Sequence, residues 1–127
     1  MKSPLLELQQ KVFQWLTTSL TCDVYDAVPD GAPMPYVVIG EDTAVDYATK
    51  LNKGSEITLT IHIWSDYDGY AEVMNIIETI VDTFNDSSMQ LTNIEVFGTV
   101  DMVEVMRDPD GYRHGIVRIR FQVLEVS

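Results

Sequence analysis

Three carboxylates crowd one short stretch of this chain: Glu41, Asp42 and Asp46 follow an apolar run in PMPYVVIGEDTAVDY. Paired carboxylates shift each other's protonation and can divide acid and base work between them. That chemistry needs a partner base or nucleophile, and none accompanies these three. In a chain with 20 Asp and Glu, such a cluster is also what composition alone delivers. His62 and Ser65 with a distant aspartate could form a hydrolytic triad. Yet Ser65 lies in WSDYDG, which lacks the strand, G-x-S-x-G and helix elbow that exposes and activates a hydroxyl. His62 reads more simply as a sheet-face residue beside Trp64, and His114 follows a hairpin turn. Cys22 has no histidine near it in sequence.

Metal chemistry finds little support. Asp66-x-Asp68-Gly69 and Asp108-x-Asp110-Gly111 each look like part of a calcium loop. Such a loop needs glycine at its sixth position and a bidentate glutamate at its twelfth. Counting from Asp66 gives Ala71 and Ile77, and counting from Asp108 gives Arg113 and Ile119, so both fail. These aspartates read as helix-capping and turn residues. Gly40 stands alone, so there is no glycine-rich phosphate loop. The expectation is a protein with no catalytic residue, no metal and no cofactor.

The elements that carry these residues follow from their periods. Ser3-Pro4 opens a helix, and Leu5, Leu8, Val12, Trp15, Leu16 and Leu20 recur at helical spacing, which predicts a helix over about 4–19. Residues 23–28 alternate like a short strand, and Pro29-Asp30-Gly31 is a turn. A strand over 36–41 is followed by 42–55, which shows no clean period; a stretch that long is usually functional or mobile. In EITLTIHIWS, Ile57, Leu59, Ile61 and Ile63 share one face while Thr58, Thr60, His62 and Trp64 share the other. Tyr70, Val73, Met74, Ile77, Ile80, Val81 and Phe84 form the stripe of a second helix over about 69–85, capped by Asp66 or Asp68. The remainder reads as a bent hairpin over about 94–124, with a bulge or break at Phe97-Gly98 and a turn at Asp108-Pro109-Asp110-Gly111.

The order α-β-β-β-α-β-β implies an α+β sandwich: a mainly antiparallel sheet with two helices packed on one face. No repeat, low-complexity tract or linker divides the 127 residues, so a single domain is expected over 1–127. Trp64 and His62 would lie on the other face, and half-polar faces carrying aromatics often mark interfaces. Strand edges offer a second place where another copy can pair.

Charge narrows the partners. The formal net charge is −12; residues 1–106 hold four lysines against 17 acids, whereas 107–127, with Arg107, Arg113, Arg118 and Arg120, is near neutral. Such a field repels a phosphate backbone, so specific nucleic-acid binding is not expected. The lone cysteine fits a reducing compartment, no secretory segment is evident, and no run of about 18 apolar residues suggests a membrane span.

Taken in order, LLELQQKVFQWL, VYDAVPDGAPMPYVVIGEDTAVDY, TLTIHIWS, the amphipathic helix and MRDPDGYRHGIVRIRF resemble the tail completion, or tail-to-head joining, proteins of long-tailed bacteriophages and prophages. The likeness spans about 5–124, with PYVVIGE, HIWS and RDPDG as its more specific motifs. It implies a fold like that of phage tail terminators. It further implies a ring, commonly a hexamer, on the head-proximal end of the tail tube, with the tube protein and the head connector or stopper as partners. Whether the isolated chain is monomeric stays open. The family implies no catalysis, and a location in the virion after assembly in the host cytoplasm. Other roles kept in view are a head-completion or connector protein, a tail assembly factor, and a non-catalytic protein-binding module. Expected subunit or channel contacts are Glu41, Asp42, Asp46, Tyr47, Lys50, Lys53, His62, Trp64, Arg118 and Arg120.

Overall fold

The computed structural model describes residues 4–43 and 55–125. Helix α1 (Pro4–Ser19) turns Leu8, Val12 and Leu16 fully inward at four-residue spacing, and leaves Leu6 and Phe13 on its outer side. Helix α2 (Ala71–Phe84) buries Val73, Ile77, Ile80 and Phe84. Tyr70 and Met74, counted in that stripe from their spacing, lie on its exposed flank instead. The cap also differs from expectation. Tyr70 occupies the N-cap without a side-chain bond, while Asp68 sits 3.7 Å from the Arg113 guanidinium.

Six strands follow in chain order: β1 (Asp23–Tyr25), β2 (Tyr36–Thr43), β3 (Ser55–Ser65), β4 (Ser87–Leu91), β5 (Ile94–Arg107) and β6 (Arg113–Glu125). They form one sheet in the order β1-β2-β3-β6-β5-β4, antiparallel except for the β1–β2 pair. The expected α+β arrangement stands. Its alternation does the sorting: Ile57, Leu59, Ile61 and Ile63 on β3 and Val117, Ile119, Phe121 and Val123 on β6 are all buried beneath the helices. Trp15 stacks on Phe84, and Phe84 meets Phe121 edge-on, joining both helices to the sheet. Each aliphatic side chain buried this fully contributes about 1.5–3 kcal/mol before chain entropy is charged against it.

Four expectations need correction. First, a strand was missed. SSMQL forms β4, whose only apolar residues are Met89 and Leu91, and the turn to β5 places a non-glycine residue, Asn93, at φ 59°. Second, β1 stops at Tyr25, short of residue 28. Third, β5 does not break at Gly98, which pairs regularly with both Ser87 and Phe121. A Cβ there would stand 2.9 Å from the Phe84 carbonyl oxygen and 2.5 Å from the Ser87 hydroxyl, so the glycine serves close approach of α2's end. The irregularity lies between Val100 and Met102, with Asp101 as the extra residue. Fourth, the stretch expected to be loop from residue 42 is still strand there: Asp42 pairs with Leu59 and Thr43 with Thr58, after a bulge beyond Ile39. No helix of the described residues is long and apolar enough to cross a membrane.

Candidate functional site

Both helices lie against one face of the sheet. Among the described residues nothing covers the other, and its side chains are dictated by register. At one level Tyr36 on β2 pairs with Trp64 on β3, Trp64 with His114 on β6, and His114 with Met106 on β5. At the next, Val38, His62, Ile116 and Glu104 align. Farther along come Thr60 beside Arg118 and Thr58 beside Arg120. An aromatic end therefore grades into a cationic one.

At the aromatic end the packing is specific. The His114 ring lies flat on the Trp64 indole, with centroids 3.9 Å apart and planes 10° apart. His62 Nδ1 and His114 Nε2 are 2.8 Å apart, within hydrogen-bond reach. Asp108 Oδ1 stands 3.9 Å from His114 Nδ1 on the far side of that ring. Gly40 lies behind His62, where a Cβ would meet the imidazole Cδ2 at 2.5 Å. Tyr25 meets Tyr36 edge-on at 5.9 Å and extends the aromatic row to β1. Partial burial, and then the neighbouring Asp23 carboxylate, hold the Tyr25 phenol above its ordinary ionisation range.

At the cationic end, Arg118 Nε donates to Asp101 Oδ1 at 2.8 Å, and Arg120 Nε lies 3.9 Å from Glu56 Oε2. The bulge at Asp101 sets that carboxylate beside Arg118. Both arginines are more than two-fifths exposed, so these pairs leave part of each guanidinium on the surface.

Of the residues expected to act, the fold gathers His62, Trp64, Arg118 and Arg120 on this one face. Glu41 and Asp42 belong to the backbone of β2 rather than to a loop. Asp46, Tyr47, Lys50 and Lys53 lie outside the described residues. Sequence reasoning passed over His114, Tyr36, Tyr25 and Met106. The signal available was parity: His114 shares the alternation of Ile116, Arg118 and Arg120 in the last strand.

The hydroxyl considered as a nucleophile is committed elsewhere. Ser65 is fully buried, donates to Glu72 Oε1 at 2.6 Å and accepts from the Tyr67 N–H at 3.2 Å. Cys22 lines a depression of about 460 Å³ between the end of α1 and α2, together with Glu72 and Asn75. Burial first, and then nearby carboxylates, push its thiol up, away from the nucleophilic thiolate. No group of three metal-ligating side chains occurs among the described residues. The second calcium-like segment is a hairpin turn, in which the Gly111 N–H donates to the Asp108 carbonyl and the Tyr112 N–H to Asp110 Oδ1. What the open face offers is a shaped, half-aromatic contact surface.

The chain is similar to characterised virion proteins. It is 29% identical over 93 residues to the tail completion protein gp17 of Bacillus phage SPP1, covering 72% of this chain and 69% of that one. Its fold matches a chain from the virion of a native gene transfer agent particle with a TM-score of 0.72, at 21% identity, over 88% of this chain and 90% of the other. A family model, tail completion protein gp17, matches residues 10–124. The chain therefore belongs to the gp17 family of tail completion proteins, structural components of phage virions.

Proposed function

We propose that this protein caps the head-proximal end of the tail tube as a ring, commonly a hexamer, ends tube polymerisation and joins the tail to the head connector. The observation that carries this reading is the division of the sheet into a face sealed by helices and a face left open with Tyr25, Tyr36, Trp64 and His114 on it. A surface of that kind fits protein contact, and membership in a tail completion family makes other virion subunits the partners.

The mechanism is geometric and involves no bond-making. Each subunit pairs with the last ring of the tube through one surface and presents a different surface beyond it, so no further tube subunit can add. Arg118 and Arg120 contribute to contact with acids of a neighbouring subunit, through the part of each guanidinium their intrachain partners leave exposed. Glu41, Asp42 and Asp46 add to a net charge of −12 that keeps passing DNA from adhering.

Electron microscopy of particles lacking the protein tests the proposal. Overlong or unjoined tails are expected. Tailless, leaking heads would instead assign the chain to head completion. Mass measurement of the purified protein, alone and with tail tubes, reports whether a ring forms and whether it waits for the tube.

A further inference from the structure

The two lateral edges of the sheet are unequally dressed. On one side β4 pairs only with residues 94–98 of β5, so among the described residues 99–107 have no strand partner along their outer edge. The first of the bare amides is answered locally, because the Val100 N–H donates to Asn85 Oδ1 at 3.1 Å. On the other side β1 pairs only with residues 36–38 of β2, which leaves 39–43 without a strand partner among the described residues. A row of unpaired backbone groups is a template for another extended strand.

We infer that the bare edge of β5 receives the bare edge of β2 from a second copy of this chain, so that the sheet continues from subunit to subunit. The inference rests on the ring proposed above and names the contact that builds it. Three features of the fold favour a second copy over an unrelated strand.

The first is direction. β2, β3, β6 and β5 alternate strictly, so β2 and β5 run in opposite senses. Rotation about an axis running roughly along the strands carries one copy's β2 beside its neighbour's β5 as an antiparallel pair. The contact uses two different surfaces, as a closed ring requires.

The second is the stagger. Followed across the register, β1 lies level with residues 104–106 of β5, whereas β4 flanks 94–98. The short strands therefore cover opposite ends of the two edges. Sliding the neighbour by about four residues, roughly 13 Å, sets 39–43 along 103–107, with β1 beyond the end of β5 and β4 below the join. Staggered registers of this kind are what a sheet closing around an axis needs.

The third is the side chains. Val103 is 45% exposed on the helix-side face of β5, and Met74, 40% exposed, lies on the flank of α2 that shares the Asn85 stripe toward this edge. A neighbouring strand would cover both. Residues 99–107 contain no lysine and no proline, the usual guards of an edge; their charges are Asp101, already paired with Arg118, and Glu104 and Arg107, which offset each other.

The test uses the full chain, alone and on tail tubes assembled without it. Hydrogen exchange at residues 103–107 should slow on the order of tenfold or more when the ring forms. Val103→Asp should abolish the ring while the monomer keeps its fold, and Leu6→Asp on the exposed side of α1 should assemble as the natural chain does. Should Val103→Asp unfold, exchange in the natural chain still decides. A ring that forms with 103–107 exchanging as fast as in the monomer, or with Val103→Asp assembling normally, overturns the shared strand and leaves the ring reading standing. Failure of the natural chain to form any ring on tubes removes both.

Discussion

His62 and His114, 52 residues apart in the chain, share a hydrogen bond of 2.8 Å on the uncovered face of the sheet. Their ring centres are 5.0 Å apart and the planes differ by 25°, so with the nitrogens this close the rings lie side by side rather than one over the other. One nitrogen must donate and the other accept. His114 then lies on Trp64 as well, so three residues from two strands hold one another in place.

Removing either imidazole should cost about 1–2 kcal/mol, because the survivor keeps a half-buried polar atom without its partner. A double-mutant cycle with His62→Ala and His114→Ala in urea should give a coupling near 1 kcal/mol. Strict additivity would show that the contact contributes nothing to stability.

Gly40 backs His62 closely enough that a methyl group cannot enter without moving the ring. Gly40→Ala should destabilise the protein by about 1–3 kcal/mol. Combined with His62→Ala, the same substitution should lose most of that cost, keeping only the 3.2 Å approach of the new Cβ to the Thr60 carbonyl oxygen. Thermal unfolding of the two variants makes the comparison; an equal loss in both would place the strain elsewhere.

Arg118→Glu with Arg120→Glu should leave the fold nearly intact, since partly exposed ion pairs contribute only about 0–1 kcal/mol. The ring should nevertheless dissociate, as light scattering would register. A persisting oligomer would show that the arginines serve only Asp101 and Glu56.

Cys22 supplies a pH prediction. Its thiol is raised by burial, so folding favours the protonated form. The stabilisation is complete below the ordinary thiol range and is lost as pH climbs through the raised value. Reaction with a disulfide reagent at mildly alkaline pH should therefore run slower than for an unfolded control, and Cys22→Ser should flatten the alkaline fall in stability. Reaction at the unfolded rate would contradict the burial.

Much of the fold was legible because its signals are local. The stripe of α1, the alternation of β3 and the stripe of α2 each repeat at their own period, and each reports which side of an element meets the core. β4 escaped because two apolar residues, Met89 and Leu91, make no period, and its turn lacks glycine. The bulge at Asp101 escaped because nothing in TVDMVEV distinguishes an extra residue from a change of parity. Gly98 attracted the break because a glycine in a strand has two explanations, and only the nearby end of α2 chooses between them.

By itself the sequence determined which residues of β3 and β6 turn toward the core and which away, since side-chain direction follows from backbone period. That was enough to place His62, Trp64, Arg118 and Arg120 on outward faces. Only the tertiary structure decided that β6 lies between β3 and β5, because strand order and register are settled by packing between segments far apart in the chain. That neighbourhood sets His114 on Trp64 and against His62, and Asp101 beside Arg118.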